Sequence, residues 1–204
     1  MNEMKKTPYI WLISGCSSGF GREIALHALS AGDFVGVSSR NVKDVEDICK
    51  EYPKTALPIK LDVTNKDEIK DSIQTINKVY GGLDVLVNNA GYGYLAAIEE
   101  GENEEVRKLF ETNFFGALEL TKAALPGMRA QRFGRIINNS SQAGIMANPG
   151  TGYYSASKYA LEGLMEALDK ELRPLNISVT SVQPGAFRTD WSGRSMKRSI
   201  IEID

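Results

Sequence analysis

Short runs of Val, Ile and Leu alternate along the chain with longer stretches in which apolar residues recur at spacings of three and four. The runs lie at Tyr9–Ser14, Phe34–Ser39, Leu57–Leu61, Val85–Asn88, Arg135–Ser140 and Ser178–Val182. Several show no polar alternation, which is the pattern of strands covered on both faces. The stretches between them predict helices over Gly21–Ser30, Val42–Glu51, Lys66–Tyr80, Glu104–Ala130 and Gly152–Leu172. Strand and helix in such alternation build right-handed βαβ units around a parallel sheet. The expected fold class is therefore α/β, a doubly wound parallel sheet in three layers and a single domain. Gly32, Gly81, Gly82 and Gly134 punctuate helix exits, and Thr64 with Asp67 resembles a capping box opening the third helix.

Composition narrows the function classes. A chain of 204 residues with 42% hydrophobic and 25% charged residues can bury roughly 70% of its unfolded surface, so a real core is available. Lys and Arg number 24 against 26 Asp and Glu, a net charge of -2 with the signs interspersed, which argues against a nucleic-acid-binding face. Met1 to Lys6 are polar, Ile10 to Ile13 is too short for a signal-peptide core, and the uncharged stretch Ile136 to Ser157 is crowded with Asn, Ser and Gly. Neither a leader nor a membrane span is expected. Cys16 and Cys49 have no metal-ligand spacing, and the single histidine, His27, falls in a helical pattern. These features point to a reducing, cytoplasmic setting without a metal site or a Ser-His-Asp triad.

In a doubly wound sheet, ligands bind beyond the carboxyl ends of the strands, and the chemically suggestive residues fall there. The first strand runs into Ser14-Gly15-Cys16-Ser17-Ser18-Gly19-Phe20-Gly21 and then a helix, placing a glycine-rich turn where a helix N-terminus offers amides to a pyrophosphate. The turn lacks the Lys-Ser/Thr ending of a P-loop, which disfavours nucleoside triphosphate hydrolysis. The second strand ends in Ser38-Ser39-Arg40, with no acidic residue where an NAD site would hold the ribose hydroxyls. Arg40 offers a planar cation suited to a 2′-phosphate, or is simply a solvated strand-end charge. Asp62-Val63 follows the third strand and either flanks an adenine ring or supports the turn into the next helix. Asn88-Asn89-Ala90-Gly91 follows the fourth, and asparagines also organise such turns without touching any ligand.

After the fifth strand come Ser140 and Ser141, then Tyr154 and Lys158 four residues apart. On a helix that separation puts phenol and ammonium on one face. At about 5 Å and an effective dielectric near 20, their attraction is roughly 3 kcal/mol, about two pKa units, enough to bring a phenol toward physiological pH.

With these motifs in this order the chain resembles the short-chain dehydrogenase/reductases, from Ser14 to about Asp190. The resemblance rests on Gly15, Gly19 and Gly21, then Asp62, Asn88-Asn89-Ala90-Gly91, Asn113, Ser141 with Tyr154 and Lys158, and Pro184-Gly185 with Thr189. It implies a Rossmann-type domain over residues 1–190 and a catalytic set of Asn113, Ser141, Tyr154 and Lys158. Tyr154 is then the general acid for carbonyl reduction and the base for alcohol oxidation, and Ser141 hydrogen-bonds the substrate oxygen. Lys158 lowers the tyrosine pKa and binds the nicotinamide ribose. Asn113 holds a water behind Lys158, where propensity alone would make it a helix-packing residue. The cofactor-binding residues implied are Gly15, Ser17, Ser18, Gly19, Phe20, Gly21, Ser39, Arg40, Asp62, Val63, Asn89, Ala90, Gly91, Tyr154, Lys158, Pro184, Gly185 and Thr189.

Two features depart from the family pattern. Ser14 stands where a threonine is usual, and the sequence stops at Asp204, shortly after Thr189. Residues 191–204 read as an incomplete substrate lid, poorly anchored without ligand. The expected activity is hydride transfer between NADP(H), with NAD(H) less favoured, and a carbonyl or secondary alcohol. Tyr92, Tyr94, Leu95, Ile145, Met146, Phe187 and Trp191 suggest a small apolar substrate. A homo-oligomer, dimer or tetramer, is implied. The rival reading is a catalytically silent dinucleotide-binding sensor or partner-binding module.

Overall fold

A computed structural model describes residues 8–187 and 195–201. Among them, six parallel strands form one sheet in the order β3-β2-β1-β4-β6-β7. These are β1 (Ile10–Ile13), β2 (Phe34–Ser39), β3 (Ala56–Lys60), β4 (Val85–Asn88), β6 (Gly134–Asn139) and β7 (Ile177–Val182). The order reverses between β1 and β4, and the crevice at such a switch point is where ligands bind. The helices are α1 (Gly19–Ser30), α2 (Glu46–Glu51), α3 (Lys66–Tyr80), α4 (Asn103–Phe110), α5 (Ala117–Gln131) and α6 (Gly152–Leu172).

Side-chain alternation along the strands divides the core between two faces. Leu12, Leu86 and Ile136 join Ile69 and Ile76 of α3 and Leu120, Ala124 and Met128 of α5 in one cluster. Their strand neighbours Ile13, Val85 and Val87 join Ala25, Ala28 and Leu29 of α1 and Ile48 of α2 in the other. Each face is covered, so the strands need no polar side.

Polar side chains latch the amino end of the sheet. Asp33 accepts from Tyr9 N and Trp11 Nε1, each at 2.8 Å, and Asp84 accepts from Ile10 N at 3.0 Å. Gln131 Nε2 donates to the carbonyls of Leu83 and Phe133, both at 2.8 Å.

Several sequence expectations need correction. Asn65, not Thr64, caps α3, its Oδ1 accepting from the amides of Asp67 and Glu68; Thr64 instead donates to Asp62 at 2.7 Å. Gly134 opens β6, and the chain leaves α5 through Arg132 in the left-handed region. The long helix expected from residue 104 is interrupted by a π-helical segment, Glu111–Gly116. A second, two-stranded sheet pairs β5 (Gly93–Leu95) in parallel with β8 (Met196–Arg198). Residues 195–201, expected to be poorly anchored, are held by backbone and polar contacts that apolar periodicity does not report. Gly93 N donates to Ser195 O and Ser199 N to Leu95 O, Lys197 pairs with Glu105 at 2.6 Å, and Ser199 Oγ reaches Glu100 O at 2.6 Å.

Candidate active site

The carboxyl ends of β1, β2, β4 and β6 surround the crevice. Where β1 meets α1, Gly15 has φ 74° and Gly19 φ 58°, a left-handed backbone that side chains resist. A Cβ on Gly21 would lie 2.3 Å from Gly15 O and 2.4 Å from Asn89 Nδ2, so the turn closes only with glycine there. Asn89 holds the turn in place, donating to Ser14 O and Gly15 O at 2.9 and 3.0 Å. Ser14 Oγ accepts from the amides of Asn89 and Ala90 at 2.9 and 3.0 Å and donates to Val87 O. The Ser14 hydroxyl thus ties the end of β1 to the turn after β4.

Ser18 is the N-cap of α1 and makes no side-chain cap hydrogen bond, with Gly19, Phe20 and Gly21 following as the first turn. A helix start of this kind presents amides and the positive dipole end to an anion. Glycines that allow close approach, amides on a helix start and a cation at the end of β2 fit the pyrophosphate and ribose ends of a dinucleotide. Phe187, from the loop following Pro184-Gly185, packs edge-on against Phe20 with centroids 5.3 Å apart. The same loop is tied to the Ser141 turn by Gln142 N donating to Pro184 O at 2.9 Å. Thr189 and Trp191 lie outside the described residues.

The end of β2 is less simple than the sequence suggests. Arg40 is exposed and makes no ion pair among the described residues. Ser39, however, is buried and donates at 3.5 Å to Asp44 Oδ2, so a carboxylate five residues on reaches the position where the strand itself supplies none. Asp62 Oδ1 accepts from the backbone N and Oγ1 of Thr64 at 2.9 and 2.7 Å, bracing the turn into α3. Val63 is buried against Gly116 of the π segment.

Tyr154 and Lys158 project from the first turns of α6, as their spacing predicts, and both are buried. Burial raises the Tyr154 phenol above its ordinary range, and a hydrogen bond with Ser141 opposes that rise. The ammonium expected to lower it lies 5.8 Å from the ring centroid and donates instead to Asn139 O at 2.8 Å. Lys158 itself is brought down to about 8 by desolvation, with Glu162 acting against that fall. Ser141, at the N-terminus of the turn 142–144, also accepts from Ala143 N at 3.1 Å.

Asn113 sits inside the π segment, a distortion common at functional sites. Its amide brackets Tyr92, accepting from the backbone N at 3.0 Å and donating to the backbone O at 2.9 Å, and it donates to Ser157 Oγ at 3.2 Å. This is the packing role that propensity favours. A Cβ on Gly91 would come within 3.0 Å of Asn113 Oδ1 and 3.8 Å of Lys158 Nζ, so the turn after β4 passes between these two side chains.

Of the residues expected near a substrate, Tyr94 is buried in an aromatic cluster with its hydroxyl on Glu102, while Ile145, Met146 and Phe187 are exposed. Sequence reading missed Asn139, which donates to Asn89 at 2.9 Å and accepts from Lys158. Its signal is the Asn138-Asn139 pair that register sets beside Asn88.

The short chain dehydrogenase family model matches residues 9–199. The chain belongs to that family. Among its relatives, the 3-ketodihydrosphingosine reductase of Bacteroides thetaiotaomicron is 43% identical over 196 residues, covering 96% of this chain and 69% of that protein. A short-chain dehydrogenase from Streptomyces avermitilis superposes with a TM-score of 0.90 at 42% identity, covering 94% of this chain and 72% of that one. ElxO with NADP bound gives a TM-score of 0.86 at 30% identity, with coverages of 90% and 76%. The protein is an oxidoreductase of the short-chain dehydrogenase family. Among the described residues no helix is long and apolar enough to cross a membrane, and no group of three or more His, Cys, Asp and Glu could hold a metal.

Proposed function

We propose that this family member reduces a small apolar ketone, or oxidises the matching secondary alcohol, with NADP(H). The observation carrying this reading is the convergence of Tyr154, Ser141 and Lys158 at the mouth of the glycine-turn crevice. When bound, the nicotinamide supplies or accepts the hydride. Tyr154 Oη then gives a proton to the substrate oxygen during reduction, or takes one during oxidation. Ser141 Oγ, already hydrogen-bonded to Tyr154, steadies the charge developing on that oxygen. Lys158 binds the nicotinamide ribose and, once its ammonium faces the phenol, lowers the cost of forming phenolate. Among the described residues Asn113 Oδ1 accepts one hydrogen bond of the two an amide oxygen can take, leaving room for a water on the proton path.

Arg40 supports NADP(H) over NAD(H), as does the NADP bound to ElxO, and the keto compound named for the Bacteroides relative supports a carbonyl substrate. Thr189 stays in the proposed cofactor set on the family resemblance. Exposed Phe115 and Tyr159 support assembly with a second copy.

Isothermal titration of the protein with NADPH and NADH, beside turnover of a panel of apolar ketones, tests the reading. NADPH should bind at least tenfold tighter, since a charge-assisted contact contributes roughly 1.5–3 kcal/mol, and Arg40→Ala should erase most of that gap. Equal affinities in the unmodified protein would refute the preference. NADPH binding without oxidation by any ketone would favour the silent sensor.

A further inference from the structure

Behind Lys158 lies a tight polar cluster that the catalytic reading does not use. Gly144 stands at its centre: a Cβ there would lie 2.8 Å from Ser140 Oγ, 3.2 Å from Glu162 Cγ and 3.3 Å from Lys158 Cβ. Glycine at 144 therefore lets three polar side chains close on one point. Ser140 Oγ and Glu162 Oε1 are both buried and have no hydrogen-bond partner among the described residues. Such atoms are rare and mark a strain reservoir or a functional role. Glu162 follows Lys158 by four residues on α6, so both stand on one helical face.

The other groups facing Lys158 carry no opposing charge. β6 brings the Asn139 carbonyl, which accepts from Nζ, and Ser140 across Gly144, while Asn113 lies on the other side of the turn at Gly91. On α4, Glu105 is engaged by Lys108 and Lys197. On α6 itself, Tyr154 is held by Ser141 and Glu166 pairs with Lys170. Among the described residues, Glu162 is the charged group whose field favours the protonated form of Lys158.

We infer that Glu162 is a positioning residue that acts through Lys158, supplying from behind the helix face the counter-charge that keeps the buried ammonium protonated where the ribose and the phenol need it. A buried lysine without a compensating charge neutralises instead. The hydrogen bond from Nζ to Asn139 O orients the ammonium but contributes only a dipole. Ser140 faces the same point with a rotatable hydroxyl, able to donate to a carboxylate that would otherwise lack a donor. This inference rests on the proposed role of Lys158.

Selective 13C labelling of lysine, with Lys158 assigned through Lys158→Arg, gives its titration midpoint by NMR without nucleotide or turnover. Glu162→Gln should lower that midpoint by about one unit, the low end of the shift an opposite charge produces. Glu162→Asp should stay within a few tenths of the unmodified value, and Glu166→Gln should not move it. If Glu162→Gln does not fold, Glu162→Ala carries the same test. NADPH affinity in Glu162→Gln should fall about tenfold below its own low-pH value at a pH one unit above its midpoint, and match the unmodified protein well below that midpoint. An unmoved midpoint in the neutral variant, or an equal fall in Glu162→Asp, overturns the inference. Failure of NADPH to bind the unmodified protein overturns the proposed function alone, because the NMR midpoint is read without it.

Discussion

The two ends of the parallel sheet solve opposite problems. At the amino end, Asp33, Asp84 and Gln131 each turn a side chain onto backbone groups of β1, β4 and β6 or their flanks, and their oxygens and amide are matched by donors and acceptors. At the carboxyl end stand left-handed glycines, a π-helical segment, a lysine buried with its titration brought down to about 8, and Asn88 Oδ1, Asn138 Nδ2, Ser140 Oγ and Glu162 Oε1, buried without a hydrogen-bond partner among the described residues. One end is built to be stable, and the other holds groups in costly environments so that they can act. Substitutions at the two ends should therefore fail in different assays.

The largest effect is expected at the costly end. Lys158→Ala should lower turnover by roughly 10³-fold, within the usual reach of proton-transfer machinery, and weaken NADPH binding as well, measured by steady-state kinetics and titration calorimetry. At the stable end, Asp33→Ala strips the acceptor from Tyr9 N and Trp11 Nε1. It should cost about 2–4 kcal/mol in urea unfolding, the usual penalty for removing two hydrogen bonds to a charged group. NADPH affinity should be unchanged wherever the variant is folded. Loss of affinity in the folded Asp33 variant would break the division between the ends.

A pH series sharpens the comparison further. Lys158 titrates near 8 in the native state and near its ordinary 10.5 when unfolded, so between these values the unfolded chain binds more protons. Stability from this group therefore rises as pH climbs from about 8 to 10.5 and is flat below 8. Urea unfolding of the unmodified protein and Lys158→Met at matched pH should show the unmodified protein gaining on the variant across that window. Parallel profiles would mean the ammonium is not buried at a cost.

Much of this division was legible in the residues, for physical reasons that also mark where legibility ends. Short apolar runs closing on polar residues marked β2 and β4 at the boundaries found, and strong periodicity did the same for α3 and α6. The glycine turn and the Tyr154–Lys158 pair were readable because backbone space and helical spacing are local properties. The β5–β8 bridge was not, since two three-residue strands joined by backbone hydrogen bonds leave no hydrophobic pattern. The π segment was hidden because apolar spacing continues through it. Asp44 beside Ser39, Asn139 under Lys158 and the packing of Asn113 on Tyr92 arise from contacts between distant or differently folded segments. The lowered tyrosine pKa expected from spacing alone was displaced by burial, which spacing does not report.

The most direct test of the account is Tyr154→Phe, which removes one oxygen from the costly end and leaves the ring and the stable end intact. The account predicts an unchanged urea midpoint within experimental error, NADPH affinity within about twofold, and ketone-dependent NADPH oxidation lowered by roughly 10² or more. Near-normal turnover in that variant would contradict it, because the proton would then be coming from another acid.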